Sequence, residues 1–168
     1  AETVRHGVVE GGRRGGCGHA RSLRAWGSVA TGRRRGYGPR VDVAARFSEL
    51  VRGPEATLDL DEPALLIAAH DHTVDLAGEL RALDDLAASI AADDAPALAH
   101  ALFVEHGYAG NTVDYGDPRN SYLDEVRRRR LGLPITLSVL MIEVGRRRGI
   151  GLVGVGMPGH FLVGSDDG

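Results

Sequence analysis

From residue 41 onward the apolar positions recur with a helical period. Val43, Phe47, Leu50 and Val51 share one helix face, and Gly53-Pro54 stops that pattern. Asp59, Asp61 and Glu62 lead into Pro63 and an apolar run at Ala64 to Ala68, where acids and a first-turn proline mark a second helix start. Leu76, Leu80, Leu83, Leu86 and Ile90 form the stripe of a third helix over Val74 to Ala91. Asp93-Asp94-Ala95-Pro96 separates it from a fourth, which ends at His106-Gly107.

The chain between Gly107 and Asn120 is dense in Gly, Asn, Asp and Tyr, which predicts a shaped surface loop. Asn120 or Ser121 is expected to cap the next helix, and Ser121 with Asp124 resembles a capping box. That helix ends in Arg127 to Arg130, and the following one ends in Arg146 to Arg148. Cations in a last turn complement the helix dipole, so both runs read as structural and nucleic acid is not an expected partner. Pro134 opens the following helix, whose apolar residues from Ile135 to Val144 cover nearly its whole circumference and predict burial. Leu152 to Val155 and Phe161 to Val163 predict two short strands joined through Met157-Pro158-Gly159-His160. His160 lies where the turn meets the second strand, a candidate base beside a buried helix.

Charge divides the chain sharply. Residues 1–40 hold nine Arg against Glu2 and Glu10, while residues 41–168 hold 11 Arg against 21 acids. The first 40 residues also carry ten of the 24 glycines and a single large aliphatic residue, Leu23. Such a segment buries too little surface to offset its ordering entropy, so it is expected to be disordered or to be spurious upstream translation, with residues 41–168 as the domain. Cys17 is the one cysteine, which excludes an internal disulfide framework and fits a reducing, cytoplasmic setting. No apolar run reaches the roughly 18 residues a membrane span needs. No metal or cofactor is expected. The acids at Asp59 to Glu62 read as a helix start, and His70 and His72 point to different helix faces. No Gly-rich phosphate loop lies at a strand-to-helix junction.

Several stretches together carry a likeness to a known group. They are D-L-D-E-P-A-L-L-I-A at Asp59 to Ala68, Gly110-Asn111 with Tyr115, N-S-Y-L at Asn120 to Leu123, R-R-L-G-L-P-I-T-L-S at Arg129 to Ser138, and P-G-H-F-L at Pro158 to Leu162. On these residues the chain resembles the transglutaminase-like superfamily, and within it the bacterial SirB-one-type family. The resemblance implies an α+β fold: an N-terminal helical layer followed by a transglutaminase-like (papain-like) core with a central buried helix and antiparallel strands. In active members of the superfamily a Cys, a His and an Asp meet for acyl transfer or amide hydrolysis, and a helix N-terminus favours the thiolate. Only the histidine carries over, onto His160.

The departures set the functional question. Pro134, Ile135 and Thr136 stand where active members place Cys, and only Asp166 and Asp167 remain as acids after His160, so truncation at the C-terminus is expected. Gly151 stands where a Pro is common in transglutaminase-like sequences. Two readings compete. One is a domain without catalysis that binds a protein or peptide through Tyr115, Arg119, Asn120 and Ser121 of the loop and Pro158 of the turn. The other is a hydrolase or acyltransferase using Thr136 or Ser138 as nucleophile with His160 as base. Oligomeric state is not legible. Intact-mass analysis of the natively expressed protein tests the N-terminal expectation: a chain beginning near Val41 or Val43 removes the basic segment.

Overall fold

A computed structural model describes residues 42–54 and 58–165. The expectations for residues 1–40, for Cys17 and for Asp166 and Asp167 lie outside the described residues. Those described belong to one compact unit, Pro39–Gly168.

Asp42 caps α1, Val43–Val51, by accepting from the Ala44 and Ala45 amides at 3.1 Å each. No α1 side chain is fully buried: Val43, Phe47 and Leu50 are half-buried, and Arg46 grips Glu62 through Nε at 2.8 Å and Nη2 at 3.1 Å. Glu62 belongs to α2, Asp61–Asp71, whose Leu65, Leu66 and Ala68 are buried. The next helix, α3, is capped by Asp75 and runs Leu76–Ser89. It stops two residues before the expected Ala91, because the Ile90 backbone turns extended and so buries the Ile90 side chain. Helix α4, Ala95–His100, is capped by Asp94 and has Pro96 in its first turn. It runs into a π-helical turn over Ala101–Glu105, where the wider winding keeps Ala101 and Leu102 inside and turns Val104 outward.

The expected loop holds more order than its composition predicts. Strand β1, Ala109–Gly110, pairs in parallel with β2, Leu131–Gly132, through Ala109 N to Arg130 O at 2.9 Å and Asn111 N to Gly132 O at 3.2 Å. Two-residue strands have no readable period. A 3-10 turn at Pro118–Ser121 then leads into α5, Leu123–Arg129. The cap expected from Asn120 or Ser121 does not form. Tyr122 occupies the cap position without a side-chain bond, Ser121 lies one residue too early, and the Asn120 side chain is spent inside the loop. Arg130, in the left-handed region at φ 59°, ends α5.

Helix α6, Pro134–Arg148, is the centre of the packing, with Leu137, Leu140, Met141 and Val144 in the hydrophobic core. It meets α2, α3, α4 and α5 as well as the strands that follow. Its burial is less complete than its composition predicts, since Ile135 in the first turn is half exposed. Gly149, at φ 74°, reverses the chain, and Ile150 N bonds back to Gly145 O at 2.9 Å. Strands β3, Leu152–Met157, and β4, His160–Ser165, form an antiparallel hairpin across Pro158-Gly159, with Met157 opposite His160. Gly145 lets the hairpin approach closely, because a Cβ there would sit 2.8 Å from Leu152 Cδ1. Leu152 and Val163 pack on the core, whereas Val153, Val155, Met157 and Leu162 face outward. Helices with two small sheets make the fold α+β, and among the described residues no helix is long and apolar enough to cross a membrane.

One carboxylate joins these layers. Glu143, 1% exposed in the middle of α6, accepts from Leu60 N at 2.7 Å, Arg146 Nη2 at 2.9 Å and Arg147 Nη1 at 2.9 Å. Arg147 in turn donates to Asp61 at the start of α2 and to Asp84 of α3. Breaking a buried pair by deleting one partner leaves the other charge uncompensated. Glu143→Ala should therefore lower the unfolding free energy by about 3–5 kcal/mol in a urea titration, and Glu143→Gln, which keeps an acceptor for Leu60 N, should cost less.

Candidate functional site

The loop ahead of α5 is built around Asn120, whose side chain is wholly buried. Its Nδ2 donates to the carbonyls of Asp114 at 2.8 Å and Tyr115 at 3.3 Å, and its Oδ1 accepts from Asn111 Nδ2 at 3.1 Å. The Asn120 carbonyl accepts from Leu133 N at 3.0 Å, so the same residue fixes the chain entering α6. Asp117 adds a second knot by accepting from Arg119 N, Nε and Nη2 at 2.7–3.0 Å and from Arg129 Nη2 at 3.2 Å. The Arg119 bond is the main reason the Asp117 carboxyl is held below the usual carboxylate range. With its polar atoms satisfied inward, the loop presents Val113 and Tyr115 to solvent, 98% and 66% exposed.

Of the residues expected to bind, Tyr115, Arg119 and Ser121 are accessible on this loop and Pro158 on the hairpin turn, while Asn120 acts from inside as the loop's internal brace. Thr136 is buried in the first turns of α6. Ser138 donates its hydroxyl hydrogen to the Pro134 carbonyl at 2.8 Å. His160 is exposed at the mouth of the hairpin. Alternation along β4 sets it on the face of Leu162, opposite Phe161 and Val163, and among the described residues no hydrogen bond joins it to Thr136 or Ser138.

Most arginines of the two runs are engaged by carboxylates, while Arg148 donates to the Ala92 carbonyl at 3.4 Å. Arg127 Nε donates to Glu79 at 2.7 Å, Arg128 reaches Asp124, Glu125 and Glu79, and Arg129 reaches Asp117. The acids of the D-L-D-E stretch are likewise taken up, by Arg46, Arg146 and Arg147. One constellation escaped the sequence reading: His72 at the end of α2 meets Asp124 of α5, Nε2 to Oδ2 at 2.8 Å, with the Tyr122 ring 5.3 Å from the imidazole. Fifty-two residues separate this pair, so no spacing announces it. The Tyr122 phenol is pushed up first by desolvation and then by Asp71.

The helix, loop and hairpin fall within a stretch, residues 68–168, that matches a family model described as the transglutaminase-like superfamily. The chain belongs to that superfamily. Within its reach are a UPF0162 protein of Xylella fastidiosa, 63% identical over 62 residues, which are 37% of this chain and 22% of the relative. A UPF0162 protein of Pseudomonas aeruginosa is 38% identical over 113 residues, 62% of this chain and 42% of the relative. F-box only protein 21 of Homo sapiens is 36% identical over 67 residues, 40% of this chain and 11% of the relative. The chain thus spans about a fifth of the length of the Xylella protein. No solved structure matches the chain.

Two measurements check the loop of this superfamily member. Asn120→Ala strands two carbonyls and the Asn111 amide, and should lower the unfolding free energy by about 1–3 kcal/mol, with faster amide exchange across residues 111–120. Asp117 has its carboxyl pKa depressed in the folded state, so the unfolded chain binds the proton more tightly. Its contribution is present above the ordinary carboxylate pKa of about 4 and is lost as pH falls through the depressed folded value. An acid titration of Asp117→Asn should show a shallower loss of stability than the wild type over that window.

Proposed function

We propose that this unit is a SirB-one-type transglutaminase-like domain that has lost the nucleophilic thiol and works as a binding module for a protein or peptide segment. The observation carrying this reading is the first turn of α6, where Pro134, Ile135 and Thr136 occupy the region in which an active member would hold its sulfur. Pro and Ile have no nucleophilic atom. A hydroxyl needs an adjacent base to attack a carbonyl, yet Ser138 is bonded to a backbone carbonyl and His160 stands exposed on the hairpin. The packing of β3 and β4 on α6 supports a papain-like arrangement of helix and sheet. The single cysteine fits a cytoplasmic setting.

Binding has its own support. Tyr115 and Arg119 stand exposed on a loop whose interior is fully braced, and Met157 and Leu162 add apolar area beside Pro158 and His160. Aromatic and Arg side chains on a preorganised surface are the residue types that anchor partners. The salt-bridged arginine runs offer nucleic acid few free cations, which favours a protein partner.

A fluorophosphonate or acyl-donor probe should leave Thr136 and Ser138 unlabelled in the full chain. Labelling at either hydroxyl that disappears in His160→Ala would replace this proposal with the hydrolase or acyltransferase. Peptides selected by display against the protein should lose affinity about tenfold or more in Tyr115→Ala or Met157→Asp with the fold retained.

A further inference from the structure

Away from α6 and its hairpin, the described residues gather one set of side chains that are metal ligands by type. One ligand atom each from His72, Asp124 and Glu125 lies within 4.8 Å of the other two. The imidazole comes from the end of α2 and the carboxylates from α5, so tertiary packing and not local sequence assembles the set.

Asp124 makes the cluster unusual. It is 1% exposed, and its Oδ2 already serves both His72 Nε2 and Arg128 Nη2, each at 2.8 Å. Its Oδ1 is buried and has no partner among the described residues. Buried carboxylate oxygens are costly to leave unmatched, and a bound cation is one means of matching them. At present Arg128 supplies the positive charge, also donating to Glu125 Oε1 at 2.7 Å. The Arg128 side chain is 47% exposed and already touches Glu79 Oε1 at 3.3 Å, so it has a second carboxylate to move to. Asp71 stands 3.7 Å from His72 Nδ1, on the far side of the ring from Asp124. A carboxylate behind an imidazole is the outer support that metal-bound histidines use to fix their orientation.

We propose that His72, Asp124 and Glu125 form a site for a divalent transition metal of the Zn2+ class, and that Arg128 is the internal cation which the metal displaces. One imidazole with two carboxylates is a donor set that Zn2+ accepts, with a remaining position for water. This inference is independent of the proposed binding function, since its ligands come from the end of α2 and from α5 and it needs neither Tyr115 and Arg119 nor the hairpin.

The test is calorimetric titration of the full chain with Zn2+, with metal content counted by elemental analysis after dialysis. The double variant His72→Gln, Glu125→Gln serves as the baseline for any other site in the chain. The wild type should retain one more equivalent than that variant, Glu125→Gln alone should weaken binding about tenfold or more, and Arg128→Gln should tighten it. Equal metal content in wild type and double variant, or unchanged affinity in Arg128→Gln, overturns the proposal. All three substituted side chains are partly exposed, and circular dichroism checks their folding. Should a variant fail to fold, the wild type still decides: His72 imidazole resonances that stay fixed through the Zn2+ titration refute the site.

Discussion

A carboxylate sealed inside a helix bundle has to find donors, and Glu143 finds them on three residues. Its two oxygens engage the backbone entering α2 and the two arginines one turn further along α6. Through Arg147 the same charge reaches Asp61 and Asp84, so helices that share little sequence proximity are held to one register around α6. Apolar contacts supply the bulk of the burial, but they are non-directional. The ionic web restricts which faces those contacts can use.

That arrangement explains which features could be read from the chain. Period and punctuation located the helices and placed Pro134 at the start of α6, whereas the caps at Asp42 and Asp75 were not read, and α3 begins at Leu76 and not at Val74 because Asp75 is its cap. The hairpin followed from two apolar runs flanking Pro158-Gly159. What escaped was non-local. The β1 and β2 pairing spans 22 residues and uses two positions per strand, and His72 meets Asp124 across 52 residues. The misplaced cap at Asn120 has a similar origin. An Asn ahead of a helix reads as a cap, yet here three partners in the preceding loop compete for its amide and win.

The candidate site was legible as a list of residues and not as a geometry. His160 was read from the resemblance to transglutaminase-like proteins, and Thr136 and Ser138 as the hydroxyls near the head of α6. Their relation depends on which way β4 turns its alternate side chains, and on whether Ser138 bonds backward along its own helix. Both are consequences of packing. The membership of the chain in the superfamily is shown over residues 68–168, a stretch that includes α6 and the hairpin.

The two sides of the β3 and β4 hairpin answer to different neighbours. Leu152 and Val163 are committed to α6, where Gly145 leaves no slack for larger groups. Val153, Val155 and Leu162 on the reverse are exposed, so they can drift in size and polarity at little cost to folding. Alternate residues of these two short segments can therefore be rewritten while the intervening ones, which seat the hairpin on α6, stay as they are.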